Sequence, residues 1–309
     1  MKKIFLTTAA ALVASGGAFA MEGGVAFTGG EAKFGMQYDE QHTDMEAQFF
    51  HDLDFKMGAS GTTDDGIGFS ANVKTDKDAI ADSQVHVIID NHKLSIGSGL
   101  DSASILAGGL GDPGLDGVNA DNHAEMMRNK VAKDFVYMGT FGMATVGVSL
   151  GDADAAGDEE EWAAGFKFDL APITVGVGVD SNDVISLGGS YSMGQITAAG
   201  FVAMDEDVNE GMNGDQERMG AGVEIGYNLS DETSLLIVAG QDDNEHTGQG
   251  VKLSSYGAGF SHSLGGGATL TGAIGSYECD LNNEDLDGGG CKATGDALLK
   301  ADFGIKMTF

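Results

Sequence analysis

The sequence predicts an all-β chain: a transmembrane antiparallel up-and-down barrel of sixteen strands, with a long third external loop. Three observations carry this reading. The last thirteen residues, ALLKADFGIKMTF, alternate strictly, with Leu299, Ala301, Phe303, Ile305, Met307 and Phe309 on one face and Lys300, Asp302, Gly304, Lys306 and Thr308 on the other. Fifty glycines stand beside only two prolines, a balance suited to a chain that is nearly all hydrogen-bonded strand, because proline cannot donate to a sheet ladder. Short turns also alternate with long acidic loops along the whole chain, which sorts the connections of an up-and-down barrel to its two rims.

The first twenty residues stand apart. Lys2 and Lys3 give a positive start, residues 4–13 are mostly apolar, and Ala18-Phe19-Ala20 forms a small-x-small cleavage site. This is the pattern of a secretory signal peptide, so residues 1–20 are assigned to a leader and 21–309 to one barrel domain. The remainder carries fourteen basic and forty-eight acidic residues, a formal charge of −34. No run of eighteen apolar residues follows the leader, so strands are the only elements that can cross a bilayer.

Taken in order, the first strand covers about 25–38, with Ala32, Phe34, Met36 and Tyr38 opposite Lys33, Gly35 and Gln37. The second covers about 45–58, a glycine-rich turn is placed at 59–66, and the third covers about 66–75. Strands four (about 84–90) and five (about 93–98) are joined by Asn91-His92, a tight hairpin with Asn where positive φ is needed. Residues 99–130 form the longest stretch without alternation. Strands six (about 132–138) and seven (about 143–150) turn at residues 139–142. Strands eight (about 161–169) and nine (about 173–180) turn at Leu170-Ala171-Pro172, and the ninth, ITVGVGVD, sets valines against glycines. Strands ten to fifteen follow at about 184–193, 195–204, 218–228, 233–240, 251–263 and 267–278, and the terminal segment is the sixteenth.

The charge excludes nucleic acid as a partner. The acidic loops 152–160, 205–217 and 280–287 are dense enough in oxygen ligands for Ca²⁺ or Mg²⁺, and Asp280, Glu284, Asp285 and Asp287 come nearest to a spaced set. Divalent ions there could bridge to lipopolysaccharide phosphates, although no cofactor is required for the fold. Cys279 and Cys291 lie twelve positions apart in an exported chain, so a disulfide is expected, contributing about 3 kcal/mol by loop closure. Catalysis finds little support. The seven histidines are scattered, and neither a G-x-S-x-G nor an H-E-x-x-H motif occurs. A membrane-barrel enzyme and an acidic secreted adhesin are the alternatives, and fractionation with outer membranes or with the medium separates the adhesin.

The opening strand VAFTGGEAKFGMQY, the block SGTTDDGIGFSANVK at residues 60–74, the long loop after strand five and the terminal Phe309 together resemble one family. It is the sixteen-stranded general diffusion porins of Gram-negative bacteria, closest to the alphaproteobacterial type, and the likeness spans the whole chain after the leader. The resemblance implies an outer-membrane homotrimer of water-filled barrels, not an enzyme, with the third external loop folded inward to constrict each pore. It also implies that Phe309 is read by the barrel-assembly machinery. In that family the loop presents carboxylates to the lumen, for which this chain offers Asp101, Asp112, Asp116, Asp121 and Glu125. The pleat places Lys33, Lys56, Lys74 and Lys93 on the opposite, polar face, so a transverse field is expected. Solvated loop acids and locally paired lysines are the alternative. Family members often place arginines on this wall, whereas Arg128 and Arg218 are the only two here. A cation-preferring pore for small hydrophilic solutes and ions is the resulting expectation.

Overall fold

The computed structural model of the chain describes residues 26–40, 47–76, 79–121, 124, 125, 127, 131, 133–151, 161–205, 218–244, 251–281 and 297–309. Sixteen strands close into one barrel, each antiparallel to its chain neighbours and the last hydrogen-bonded to the first. They are Ala26–Asp39 (β1), Gln48–Thr62 (β2), Gly68–Asp76 (β3), Ala79–Ile89 (β4), His92–Gly97 (β5), Phe135–Phe141 (β6), Ala144–Gly151 (β7) and Glu161–Leu170 (β8). The circuit continues through Ile173–Asp180 (β9), Val184–Met193 (β10), Ile196–Asp205 (β11), Arg218–Asn228 (β12), Thr233–Asn244 (β13), Val251–Gly265 (β14), Ala268–Leu281 (β15) and Leu298–Thr308 (β16). Among the described residues no helix is long and apolar enough to cross a membrane. The expected leader, residues 1–20, lies outside the described residues.

Period-two alternation decides the faces. Val223, Ile225 and Ile237 are 59%, 58% and 61% exposed on the outer surface, while Asp242, Lys300 and Asp302 inside are 0%, 7% and 5% exposed. A water-soluble barrel would reverse this order, whereas an outer wall in lipid requires it. Sheet closure also leaves no unpaired edge for the bilayer to penalise.

Several boundaries differ from the sequence reading, among them the β4–β5 turn, which is Asp90-Asn91 with its positive φ (+51°) on Asp90, and three have a clear local reason. The turn expected at 59–66 is shorter, because β2 continues to Thr62. The ring of Phe69 on β3 lies against Gly61, so a cross-strand aromatic supplies the packing that the glycine lacks. β4 begins at Ala79, several residues early, because its pairing with β3 continues past a bulge between Ile80 and Asp82. β6 lies three residues later than expected, because its hairpin turns on Gly142, whose φ of +66° is the left-handed conformation a two-residue connection needs.

The hydrophobic core lies within the barrel. Ala107, Leu110, Val118, Ala120, Ala124 and Met127 of the β5–β6 connection are buried against Val184, Phe201, Ala203 and Val238 of the wall. The long connection therefore fills one side of the lumen, as the third external loop was expected to do.

Candidate functional site

Two glycines with positive φ, Gly97 and Gly99, turn the chain out of β5. The side-chain amide of Gln84 donates to the carbonyls of Ser98 (3.2 Å) and Gly99 (2.9 Å) and fixes the entry. A short 3-10 helix, Ala103–Ala107, then lies flat on the inner faces of β7 to β10. It can do so because those faces are glycine: Cβ atoms at Gly165, Gly176 and Gly188 would overlap the carbonyl oxygens of Ala103, Leu106 and Ala107. The N–H of Ala103 donates to Ser149 Oγ on β7 at 3.0 Å.

The second half of the loop is held by side chains from distant strands. Glu224 of β12 accepts the Gly111 N–H at 2.5 Å. Asp302 of β16 accepts from Leu115 and Asp116, and Lys300, two residues earlier, donates to Asn119 Oδ1 at 3.1 Å. Between them the Leu115 side chain sits over paired Gly35 and Gly304. Ser255 of β14 donates to the Ala120 carbonyl at 2.8 Å. A loop this well satisfied inside a barrel is a fixed wall, since its buried backbone groups have the partners that burial demands.

The five candidate loop acids separate into different roles. Asp101 and Asp116 are exposed, and Asp116 lies 3.8 Å from Lys33. Asp112 turns its carboxylate onto the loop itself, accepting from the backbone N–H groups of Val118 (3.0 Å), Asn119 (3.2 Å) and Ala120 (3.3 Å). Burial pushes the Asp112 carboxyl up from its ordinary value, against the pull of those donors and of Lys300. Glu125 likewise accepts the Leu110 N–H, and Asp121 is half-buried.

The four wall lysines face inward but do not form one group. Lys33 lies between Glu31 (3.4 Å) and Asp116, and Glu31 also reaches Lys306 at 2.7 Å. Lys56, Lys74 and Lys93 line a separate recess of about 410 Å³ with Asn72, Gln84 and His86. Lys74 is paired with Asp54 at 3.1 Å. Glu284, Asp285, Asp287 and Cys291 lie outside the described residues, as do the side chains of Asp280 and Cys279, whose backbones belong to β15. At the closing seam Phe309 stacks on Phe27 with centroids 5.9 Å apart and meets Phe55 edge-on at 6.1 Å.

The sequence reading missed the anchors Ser149, Glu224, Ser255, Lys300 and Asp302, along with the glycine wall. A signal for the wall exists: in ITVGVGVD the inward positions Gly176 and Gly178 carry no side chain, which in a strand marks close approach of another backbone.

The family model described as Gram-negative porin matches residues 7–282. No curated protein sequence matches the chain. A porin structure refined at 1.8 Å superposes with a TM-score of 0.68 at 18% identity, over 93% of this chain and 100% of that one. An anion-selective porin from Comamonas acidovorans gives 0.71 at 14% identity, over 93% and 99%. A trimer form of OmpT, an outer membrane protein of Vibrio cholerae, gives 0.74 at 14% identity, over 93% and 99%. At such identities the solved structures establish the barrel, while the family match extends over most of the sequence; this chain belongs to the Gram-negative porin family.

Proposed function

We propose that this outer-membrane barrel is a cation-preferring diffusion channel for small hydrophilic solutes and ions, working as a homotrimer. The observation that carries the channel reading is the loop fixed against one side of the lumen by glycine contacts and side-chain anchors. Its anchors lie on β1, β7 to β10, β12, β14 and β16, which leaves the wall of β2 to β5 for passage, while Lys33 and Asp116 stand 3.8 Å apart at the edge of the loop. Selection then follows from pore size and the charges at the narrowing, and no bond is made or broken. Family membership and fold favour a channel over the enzyme alternative.

Cation preference is supported by the acidic excess of the chain, −34 without the leader. The shared barrel does not decide it, since a similar structure is that of an anion-selective porin. The homotrimer is supported by the trimer form of OmpT. Lipopolysaccharide, the barrel-assembly machinery and divalent ions at Asp280, Glu284, Asp285 and Asp287 complete the proposal as partners. Purified protein in a planar bilayer tests the reading. Stepwise conductance with a reversal potential of cation sign in a salt gradient is expected; no conductance overturns the channel, and the anion sign overturns the preference.

A further inference from the structure

Two pairs of lysines face each other across neighbouring strands of the inner wall: Lys33 with Lys306 between β1 and β16, and Lys56 with Lys74 between β2 and β3. Like charges directly opposite destabilise a sheet unless something neutralises them. For the first pair the protein supplies the neutraliser, because Glu31 reaches both ammonium groups, at 3.4 and 2.7 Å. In the second pair Asp54 reaches Lys74, at 3.1 Å. Among the described residues no carboxylate lies within 4 Å of Lys56, nor of Lys93, which joins the same recess from β5.

The recess itself is a formed site. Its volume of about 410 Å³ suits a small solute. Among the described residues the loop contributes only Gly99, so none of the candidate loop acids lines it, and Asp82 is the single acidic lining residue. Asn72 adds an amide, and Gln84 is held by its bonds to Ser98 and Gly99. The wall is therefore divided. Lys33 meets the loop at Asp116, while Lys56 and Lys93 stand beside the paired Lys74 with no carboxylate of the described residues bridging them as Glu31 bridges the first pair.

We infer that this recess binds a small dianion, of the dicarboxylate or phosphate class, with Lys56 and Lys93 as its principal contacts and Lys74 shared with Asp54. The ligand takes the place that Glu31 occupies between Lys33 and Lys306. Ammonium groups bind such anions as point charges through charge-assisted hydrogen bonds. The inference rests on the channel reading and deepens it: a pore whose bulk preference is for cations carries a local subsite for one class of anionic solute.

The test is single-channel recording in NaCl with succinate, or with inorganic phosphate at mildly alkaline pH where it is doubly charged. A saturable reduction of the current by one or both, absent with acetate, is expected, and the two arms distinguish carboxylate from phosphate. Lys56→Gln and Lys93→Gln should each raise the half-blocking concentration about tenfold, the size of one lost charged contact. Lys56→Arg should retain the block, which guards against a folding defect, and Lys167→Gln on β8 should leave it unchanged. A channel that conducts NaCl but shows no saturable effect of either dianion overturns the inference, as does equal block in Lys56→Gln. A preparation that conducts no NaCl overturns the channel reading instead, and this inference with it.

Discussion

Asp302 on the closing strand accepts the backbone N–H of Leu115 at 2.8 Å, across 187 residues of chain. The same carboxylate takes the Asp116 N–H at 3.0 Å, and its own side chain is 5% exposed. One buried acid therefore ties the loop to the strand whose pairing with β1 completes the barrel. Loop seating and closure share a residue.

Asp302→Ala should leave the buried Leu115 N–H without its acceptor, at about 1–3 kcal/mol, and the half-buried Asp116 N–H at less. The expected result is a barrel that still assembles but whose loop moves. Noisier open-channel current and protease cleavage within residues 108–121 would report it; a quiet, protected loop would show that the other anchors suffice.

Asp112→Ala removes the acceptor for three loop N–H groups at once. Because this carboxylate serves the loop's own turn, the substitution should alter conductance noise with little effect on ion selectivity. A selectivity change larger than that caused by Asp116→Asn would place Asp112 in the ion path.

Gly176→Val should displace the 3-10 helix, since even a Cβ there overlaps the Leu106 carbonyl. The side chain pushes the helix off the wall toward the lumen, so a narrower pore and smaller unit conductance are expected. The matched control is Gly200→Ala, where the nearest atoms to a new Cβ are 3.8 and 3.9 Å away, so stability should stay within about 0.5 kcal/mol of the parent in a thermal melt.

Phe309→Ala removes the stacking on Phe27 and the edge contact with Phe55, each worth about 1 kcal/mol. The backbone exchange of Phe309 with Gly30, at 2.7 and 3.1 Å, is retained. Folded yield, read on a heat-modifiability gel, should fall before the conductance of surviving channels changes. Normal yield with altered conductance would reverse that order.

Asp116→Asn should weaken cation preference and Lys33→Gln should strengthen it, because the two stand 3.8 Å apart, with Asp116 exposed, at the edge of the loop. A solvated charge at about 4 Å is worth about 1 kcal/mol, so the permeability ratio should move by at most about fivefold. Reversal potentials of the two variants shifting in the same direction would exclude this pair from selectivity.

The strand plan was legible because a strand's side chains alternate residue by residue, so a local stretch such as ITVGVGVD declares both its conformation and its two faces. Boundaries such as Thr62, Ala79 and Phe135 moved where the partner strand decides pairing: a Phe69 ring over Gly61, a bulge opposite Lys74, a left-handed Gly142. Loop length marked residues 99–130 as the element that does something other than connect.

By itself, then, the sequence determined that the chain is an inside-out barrel with an acidic surplus, a closing aromatic and one long loop. The tertiary structure alone decided the site. Asp112 and Asp116 are equivalent as letters in a loop, yet one serves the loop's backbone and the other faces Lys33. Lys33 and Lys56 share a face of the pleat, yet Glu31 neutralises one and, among the described residues, no carboxylate reaches the other. The reason is physical: alternation is set by neighbours in the chain, whereas partners such as Leu115 and Asp302 meet only after the sheet has closed and brought distant strands around one lumen.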